Sequence, residues 1–403
     1  MPSRPHLRAR ARLVSLCAAL LARALHAAGP RAYAHVLDTL WEQQERARDA
    51  RPSGLTLECP ASVEPDPGER ALVERLFRAY ASAKRAERSA PAEFAPSSGW
   101  SDLIRSGYGP LMEALEHGDV RLFHRYLANF AGWEHATGIE ESSRLRRIAR
   151  EPHRKRHHER RVMAPLIEWW LVNEAQGRDL SDVGQPNAGN PCGVRAGNEL
   201  VSRLSVWADV HAGLLARFLG RPGAVVAELG CGAGRLALAL VRRASPACVI
   251  GLDLPEPLCC ASYVLMREFP GARVLLHGEE PLQPDTFARH TFVMLPAHEI
   301  VHLPDDSIDL FVNENGLGDM TPVAARAYLH EICRSSRAFW HKNREHERWT
   351  FADGTRSLLA GEYPLPAERF TCLARYPDLS QSLALPWPRR ERDLYWYLYA
   401  RRG

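Results

Sequence analysis

From about residue 190 onward, short apolar runs alternate with longer segments whose apolar residues recur every three or four positions. That pattern predicts strands at 224–228, 247–253, 272–276, 292–295, 308–312 and 338–341. Helices are predicted over 198–219, 235–242, 258–269 and 322–334, each with one apolar stripe. Strands alternating with helices predict a mostly parallel sheet covered on both faces. Whether the run at 272–276 or the one at 292–295 is the third core strand is left open by the pattern. The first half lacks short apolar runs and reads as helical: 13–50 with a break at Gly29-Pro30, then 71–87, then most of 100–177. Proline-rich stretches at 60–68 and 89–98 separate these segments, and there is no internal repeat. The polar loop 177–194 marks a boundary, giving an expected helical region at 1–180 and an α/β domain at 190–403.

Composition narrows the function classes. The 403 residues are 45% hydrophobic and 25% charged, with a net charge of +4. Lys84, Lys155 and Lys342 are the only lysines, and the charge is too small and dispersed for a phosphate-binding footprint, so no nucleic-acid partner is expected. The basic run Arg154 to Arg161 contains Glu159 and no aromatic residue for base stacking; it reads as a solvated helix face. No run of ~20 uncharged apolar residues spans a bilayer. The N-terminal arginines before 13–22 have the layout of a secretory signal, but Arg23 and His26 interrupt it. A helix packed on the core or on another chain is the expectation, with a cytoplasmic location and the helical region as a surface for self-association. The nine cysteines are odd in number and form no paired CxxC motifs, so reduced thiols and no metal site are expected.

The most specific local signal is Glu228-Leu229-Gly230-Cys231-Gly232-Ala233-Gly234. A strand ends in an acid, turns through three alternating glycines and enters a helix, which is a nucleotide-binding turn. A carboxylate at the strand end would repel a dinucleotide's pyrophosphate and attract an ammonium group. The next strand also ends in an acid: Asp253 lies 19 positions after Gly234 (253 − 234), where a ribose ligand belongs. Cys231 fits as a small packing residue. The competing reading, a tight turn with no ligand, loses ground to the paired acids. The pattern resembles motif I of the class I S-adenosylmethionine (SAM) methyltransferases. That resemblance implies a Rossmann-like domain with a mostly parallel, seven-stranded-type sheet behind a mainly helical N-terminal domain. It also implies that Glu228, Gly230, Cys231, Gly232, Gly234, Asp253 and Leu254 surround the cofactor.

Ligands of such sheets bind beyond the carboxyl ends of the strands. One end carries Pro296, Ala297 and His298, followed by Leu303-Pro304-Asp305-Asp306-Ser307-Ile308-Asp309, which is similar to the lead-in to the fourth strand of many SAM methyltransferases. The resemblance implies that Pro296, Ala297 and His298 border the adenine; a general base and a surface histidine stay open for His298. The next end is the loop Asn313 to Met320, where Asn313 would touch the cofactor and the acceptor would meet it. Thr321 and Pro322 read as cap and first residue of a helix. These features, with Asp253-Leu254-Pro255-Glu256, Tyr328, 339–343, Ser98-Gly99-Trp100 and 127–130, resemble the bacterial sugar O-methyltransferase family. Two departures stand out: 315–320 replaces a serine-rich segment ending Glu-Met, and Ala297 replaces an aromatic residue. A sugar hydroxyl needs a base or a metal: Glu314, Asp319 and His341 are candidate bases, with His298 behind them, and Glu314 with Asp319 is a weak pair of donors for a divalent ion. Trp100, Trp169 and Trp170 either stack on a sugar or fill the core. The expected activity is SAM-dependent O-methylation of a sugar or glycosylated small molecule in natural-product biosynthesis. The alternatives are a non-sugar acceptor methylated at nitrogen or oxygen, and a catalytically silent SAM-binding protein.

Overall fold

A computed structural model describes residues 54–132, 141–220, 222–378 and 393–402. The helix expected over 13–50 and the signal-like N-terminus lie outside the described residues. The first half contains β1 (Leu55–Glu58), α1 (Arg70–Glu87), α2 (Ser98–Gly107), α3 (Gly109–His117), α4 (Val120–Asn129), α5 (Ser142–Ala149), α6 (Pro152–His157) and α7 (Ala164–Asn173). A π-helical turn, His158–Met163, joins α6 to α7. The solvated face expected for the basic run holds only in part: Arg154, Arg156 and His157 are exposed, but His158 and Glu159 are buried, and Glu159 accepts the Leu57 N–H at 2.7 Å.

One helix boundary differs from expectation. Residues 198–201 do not begin a helix: β2 (Gly193–Ala196) and β3 (Glu199–Val201) form an antiparallel hairpin, and β1 pairs with β2. Gly197 adopts φ +62° in the two-residue Gly-Asn link, a backbone conformation that closes such hairpins. The helix α8 (Arg203–Leu219) starts only after Ser202, whose side chain and that of Ser205 cap each other's backbone amides.

The second half holds β4 (Val225–Leu229), α9 (Arg235–Ala244), β5 (Cys248–Asp253), α10 (Pro255–Glu268), β6 (Val274–Leu276), β7 (Phe292–Pro296), β8 (Leu310–Glu314), α11 (Pro322–Ser335), β9 (Ala338–Arg344), β10 (Phe370–Pro377) and β11 (Leu394–Arg401). They form an eight-stranded sheet in the order β10-β11-β9-β8-β4-β5-β7-β6. The six strands from β6 to β9 are parallel, and β11 and β10 close the far edge antiparallel. This is a Rossmann-like α/β fold. Both undecided runs belong to the sheet, β7 beside β5 and β6 outside it. The chain leaves β4 toward β5 and returns on its other side as β8, so the strand order reverses between β4 and β8. The crevice at that reversal is where such folds take ligands.

The first-half helices share a core with one face of this sheet. Val73, Leu76 and Tyr80 of α1, with Tyr108 and Phe123, pack against Cys260, Tyr263 and Val264 of α10 and Phe292 of β7. Polar ties follow the same seam: Lys84 lies 3.0 Å from the fully buried Glu256, and the Tyr80 hydroxyl donates to the same carboxylate at 3.1 Å.

Candidate active site

At the end of β4, Gly230, Gly232 and Gly234 adopt φ of +82°, +55° and +73°, a region that L side chains rarely enter. At Gly234 a Cβ would also press within 3.3 Å of Ala261, so this glycine lets the turn lie close against α10. The Gly232 N–H donates to Asp253 Oδ2 and the Leu254 N–H to Oδ1, each at 2.7 Å. Asp253 thus ties the glycine turn to the end of β5. Burial pushes its carboxyl up to about 7, against the pull of those two amides. Cys231 is buried; burial raises its thiol well above the ordinary range, so the side chain packs and does not act as a nucleophile.

Glu228 is buried on β4, and its Oε2 has no hydrogen-bond partner. Burial, then the charges of Glu314 and Asp253, raise its carboxyl well above the ordinary range. A buried carboxyl with an unpartnered oxygen beside a glycine turn is incomplete by itself; a bound cation would complete it.

Asn313, fully buried at the end of β8, holds the crevice closed from below. Its Nδ2 donates to the Leu229 carbonyl at 2.9 Å, and its Oδ1 accepts from Leu317 N–H at 3.2 Å and Asn343 Nδ2 at 2.9 Å. Next to it, Glu314 sits between Lys342 Nζ and His211 Nδ1, both at 2.9 Å. Those two partners outweigh burial and drive its carboxyl far below the ordinary range. Such a carboxylate is a weak base. Asp319, on the turn Gly316–Asp319, has its carboxylate 3.7 Å from Arg344, and burial raises its pKa.

Two expected residues lie elsewhere. His341 is fully buried in β9 between rings of β11, stacked on Tyr397 and Tyr399 with centroids 5.0 and 5.8 Å away. Burial lowers its pKa to about 3, and it lines neither of the cavities at the strand ends. These surroundings do not favour the expected role as base. His298 is buried beside Glu299 at 3.7 Å, outside the cleft lining.

The strand ends open into a small apolar pocket of about 70 Å³, lined by Leu229, Asp253, Leu254, Ala297 and Tyr328 and covered by Phe94 and Trp100. A wider cleft of about 690 Å³ adjoins it, lined by Gly230, Gly232, Glu314, Asp319, Arg344 and Trp349. Of the expected site residues, Gly230, Gly232, Asp253, Leu254, Ala297, Glu314 and Asp319 meet at these cavities. Glu228, Cys231, Gly234, Pro296, Asn313, His298 and His341 do not line them: the first five shape or back the turn and strand ends. Trp100 faces the cleft, whereas Trp170 is buried and donates to Asp209 at 2.8 Å, and Trp169 packs 5.5 Å from Trp207. Sequence reasoning missed His211, Phe94, Arg344 and Trp349. The proline-flanked Phe94 was the one legible hint, since a large apolar residue in a polar loop needs something to cover.

Among the described residues, no group of three or more His, Cys, Asp or Glu side chains is arranged to hold a metal ion, and no helix is long and apolar enough to cross a membrane. No family model matches the sequence. No curated protein matches it either. Among solved structures, it is similar to the Burkholderia thailandensis 1,6-didemethyltoxoflavin-N1-methyltransferase with bound S-adenosylhomocysteine (22% identity, 49% of this chain, 78% of that one, TM-score 0.34). It is similar also to magnesium protoporphyrin IX methyltransferase from Synechocystis PCC 6803 with bound SAM (11% identity, 59% and 96%, TM-score 0.32). A third is the glycopeptide N-methyltransferase MtfA (15% identity, 48% and 90%, TM-score 0.33).

Proposed function

We propose that the chain is a SAM-dependent O-methyltransferase acting on a hydroxyl of a sugar or glycosylated small molecule. The observation that carries the cofactor is Glu228: a buried carboxyl with an unpartnered oxygen at a turn of three left-handed glycines suits the ammonium end of an amino-acid moiety. Asp253 lines both cavities and retains lone pairs for ribose hydroxyls after accepting its two amides. The apolar pocket between Leu254, Ala297 and Tyr328 suits a flat base.

When bound, held by Glu228, Asp253 and the glycine turn, SAM would supply a sulfonium-activated methyl group to the acceptor oxygen. The protein positions that oxygen, excludes water and takes its proton. Asp319 is the base in this reading: it lines the cleft, and its raised pKa gives it more affinity for a proton than the doubly paired Glu314. Glu314 instead fixes Lys342 and His211 beneath the site. Trp100 and Trp349, facing the cleft from separate elements, offer apolar faces of the kind that pack on sugar rings. In this reading α2 and the loop before it form the lid that the helical first half contributes.

Isothermal titration with SAM and with its demethylated product tests the cofactor; absence of binding overturns every SAM-dependent reading. Mass spectrometry of sugar, glycoside and non-sugar acceptors incubated with SAM tests the substrate. Methylation of non-sugar acceptors alone would replace the sugar assignment while leaving the cofactor in place.

A further inference from the structure

The ladder between β1 and β2 runs antiparallel as far as Glu58 opposite Gly193. Cys59 and Cys192 are the next residues beyond that pair, they pack in the same cluster, and Cys192 donates a hydrogen bond to the Cys59 sulfur. Directly opposed residues in such a ladder have Cα atoms about 4.5–5.5 Å apart, inside the span that a disulfide bridges. Neither sulfur is in a disulfide. Cys192 is buried, but Cys59 is only partly covered, so one sulfur of the pair is reachable from solvent. The hydrogen bond from Cys192, with Arg146 and Lys155 nearby, lowers the Cys59 pKa despite its partial burial. A reachable sulfur with thiolate character is the reactive kind, and a second sulfur in contact is the resolving kind.

We infer that Cys59 and Cys192 form a reversible thiol–disulfide site that exchanges with low-molecular-weight disulfides. The Cys59 thiolate attacks one sulfur of the small disulfide, whose S–S bond breaks and releases one thiolate. Cys192 then loses its proton to solvent, attacks the Cys59 sulfur and expels the second small thiolate. Two protein thiols are oxidised, and one small disulfide is reduced to two thiols. The bond joins residues 133 positions apart (192 − 59) and staples β1 to the start of β2. Closing so long a loop restricts the unfolded chain, so the oxidised protein is the more stable form. The site is independent of the methyl-transfer chemistry.

The test is to incubate the full-length protein with oxidised glutathione and map the peptides by mass spectrometry. The expected result is a Cys59–Cys192 linked peptide, loss of two titratable thiols, a Tm raised by several degrees and full reversal by dithiothreitol. In Cys192→Ser the glutathione adduct at Cys59 persists, and in Cys372→Ser, at an exposed thiol, the crosslink is unchanged. A wild-type protein that keeps glutathione on Cys59 without forming the link would overturn the inference. So would one that reacts at Cys372 but not at Cys59. The wild-type map decides the matter even where a variant folds poorly.

Discussion

Glu228 and Asp253 are carboxyls placed where the fold disfavours their charge, and this makes them sensitive to both ligand and pH. Glu228→Gln removes an acid with no hydrogen-bond partner at Oε2, so Tm should hold or rise. SAM affinity, read by calorimetry, should fall about tenfold or more, because a hydrogen bond to a charged group contributes ~1.5–3 kcal/mol. For Asp253 the folded pKa of about 7 lies above the ordinary 3.8, so the folded protein holds the proton more tightly than the unfolded chain. Its contribution to stability is complete below 3.8 and is lost as pH rises to about 7. Thermal melts of the ligand-free protein across that window should therefore slope less for Asp253→Asn than for wild type. Asp319→Asn should lower kcat by roughly 10²–10⁴ and abolish the acidic limb of its pH profile, while leaving SAM binding intact. By contrast, His341→Phe should keep kcat within a fewfold, since the ring is enclosed by other rings; a large loss would restore His341 as a candidate base.

At the scale of elements, the turns and caps were more legible than the edges of the sheet. Thr321 and Pro322 mark the start of α11 in the sequence, and the Thr321 hydroxyl accepts the Ala324 N–H at 3.3 Å. Thr321→Ala should cost about 1 kcal/mol in urea unfolding. The Gly197-Asn198 hairpin was equally available as a turn signal, but the apolar periodicity of the following helix masked it. The hairpin of β10 and β11 was missed for another reason. Most of β10 faces solvent on both sides, so its residues show neither an apolar run nor a clean alternation. Its partner β11 is aromatic-rich, and only pairing with β9 reveals why: Tyr397 and Tyr399 cover His341.

For the whole molecule, the decisive contact is the seam between α1 and α10. Lys84 reaches across it to Glu256 Oε1, which Tyr80 also bonds, while Oε2 has no hydrogen-bond partner. Lys84→Met should lower stability at neutral pH by about 3–5 kcal/mol, the usual effect of stranding one member of a buried pair. The orphaned Glu256 escapes by binding a proton, so its folded pKa climbs further above 4.5. The loss should therefore shrink as pH is lowered toward that value; chemical unfolding at two pH values measures it. A pH-independent loss would mean that packing, not charge, holds the seam.

The sequence by itself determined the parallel sheet, the glycine turn and the two acids that end the strands on either side of it, because each is written in neighbouring residues: periodicity, alternating glycines and strand-end carboxylates. It also brought Glu314, Asp319 and His341 forward as equals, since all three are titratable groups near strand ends. Tertiary structure alone separated them. Lys342 and His211 arrive from β9 and α8 to hold Glu314 ionised, the rings of β11 enclose His341, and Asp319 is left facing the cleft. The proton affinity of a side chain depends on what surrounds it in space, and those surroundings come from segments 28 to 103 positions away in the chain (342 − 314 and 314 − 211).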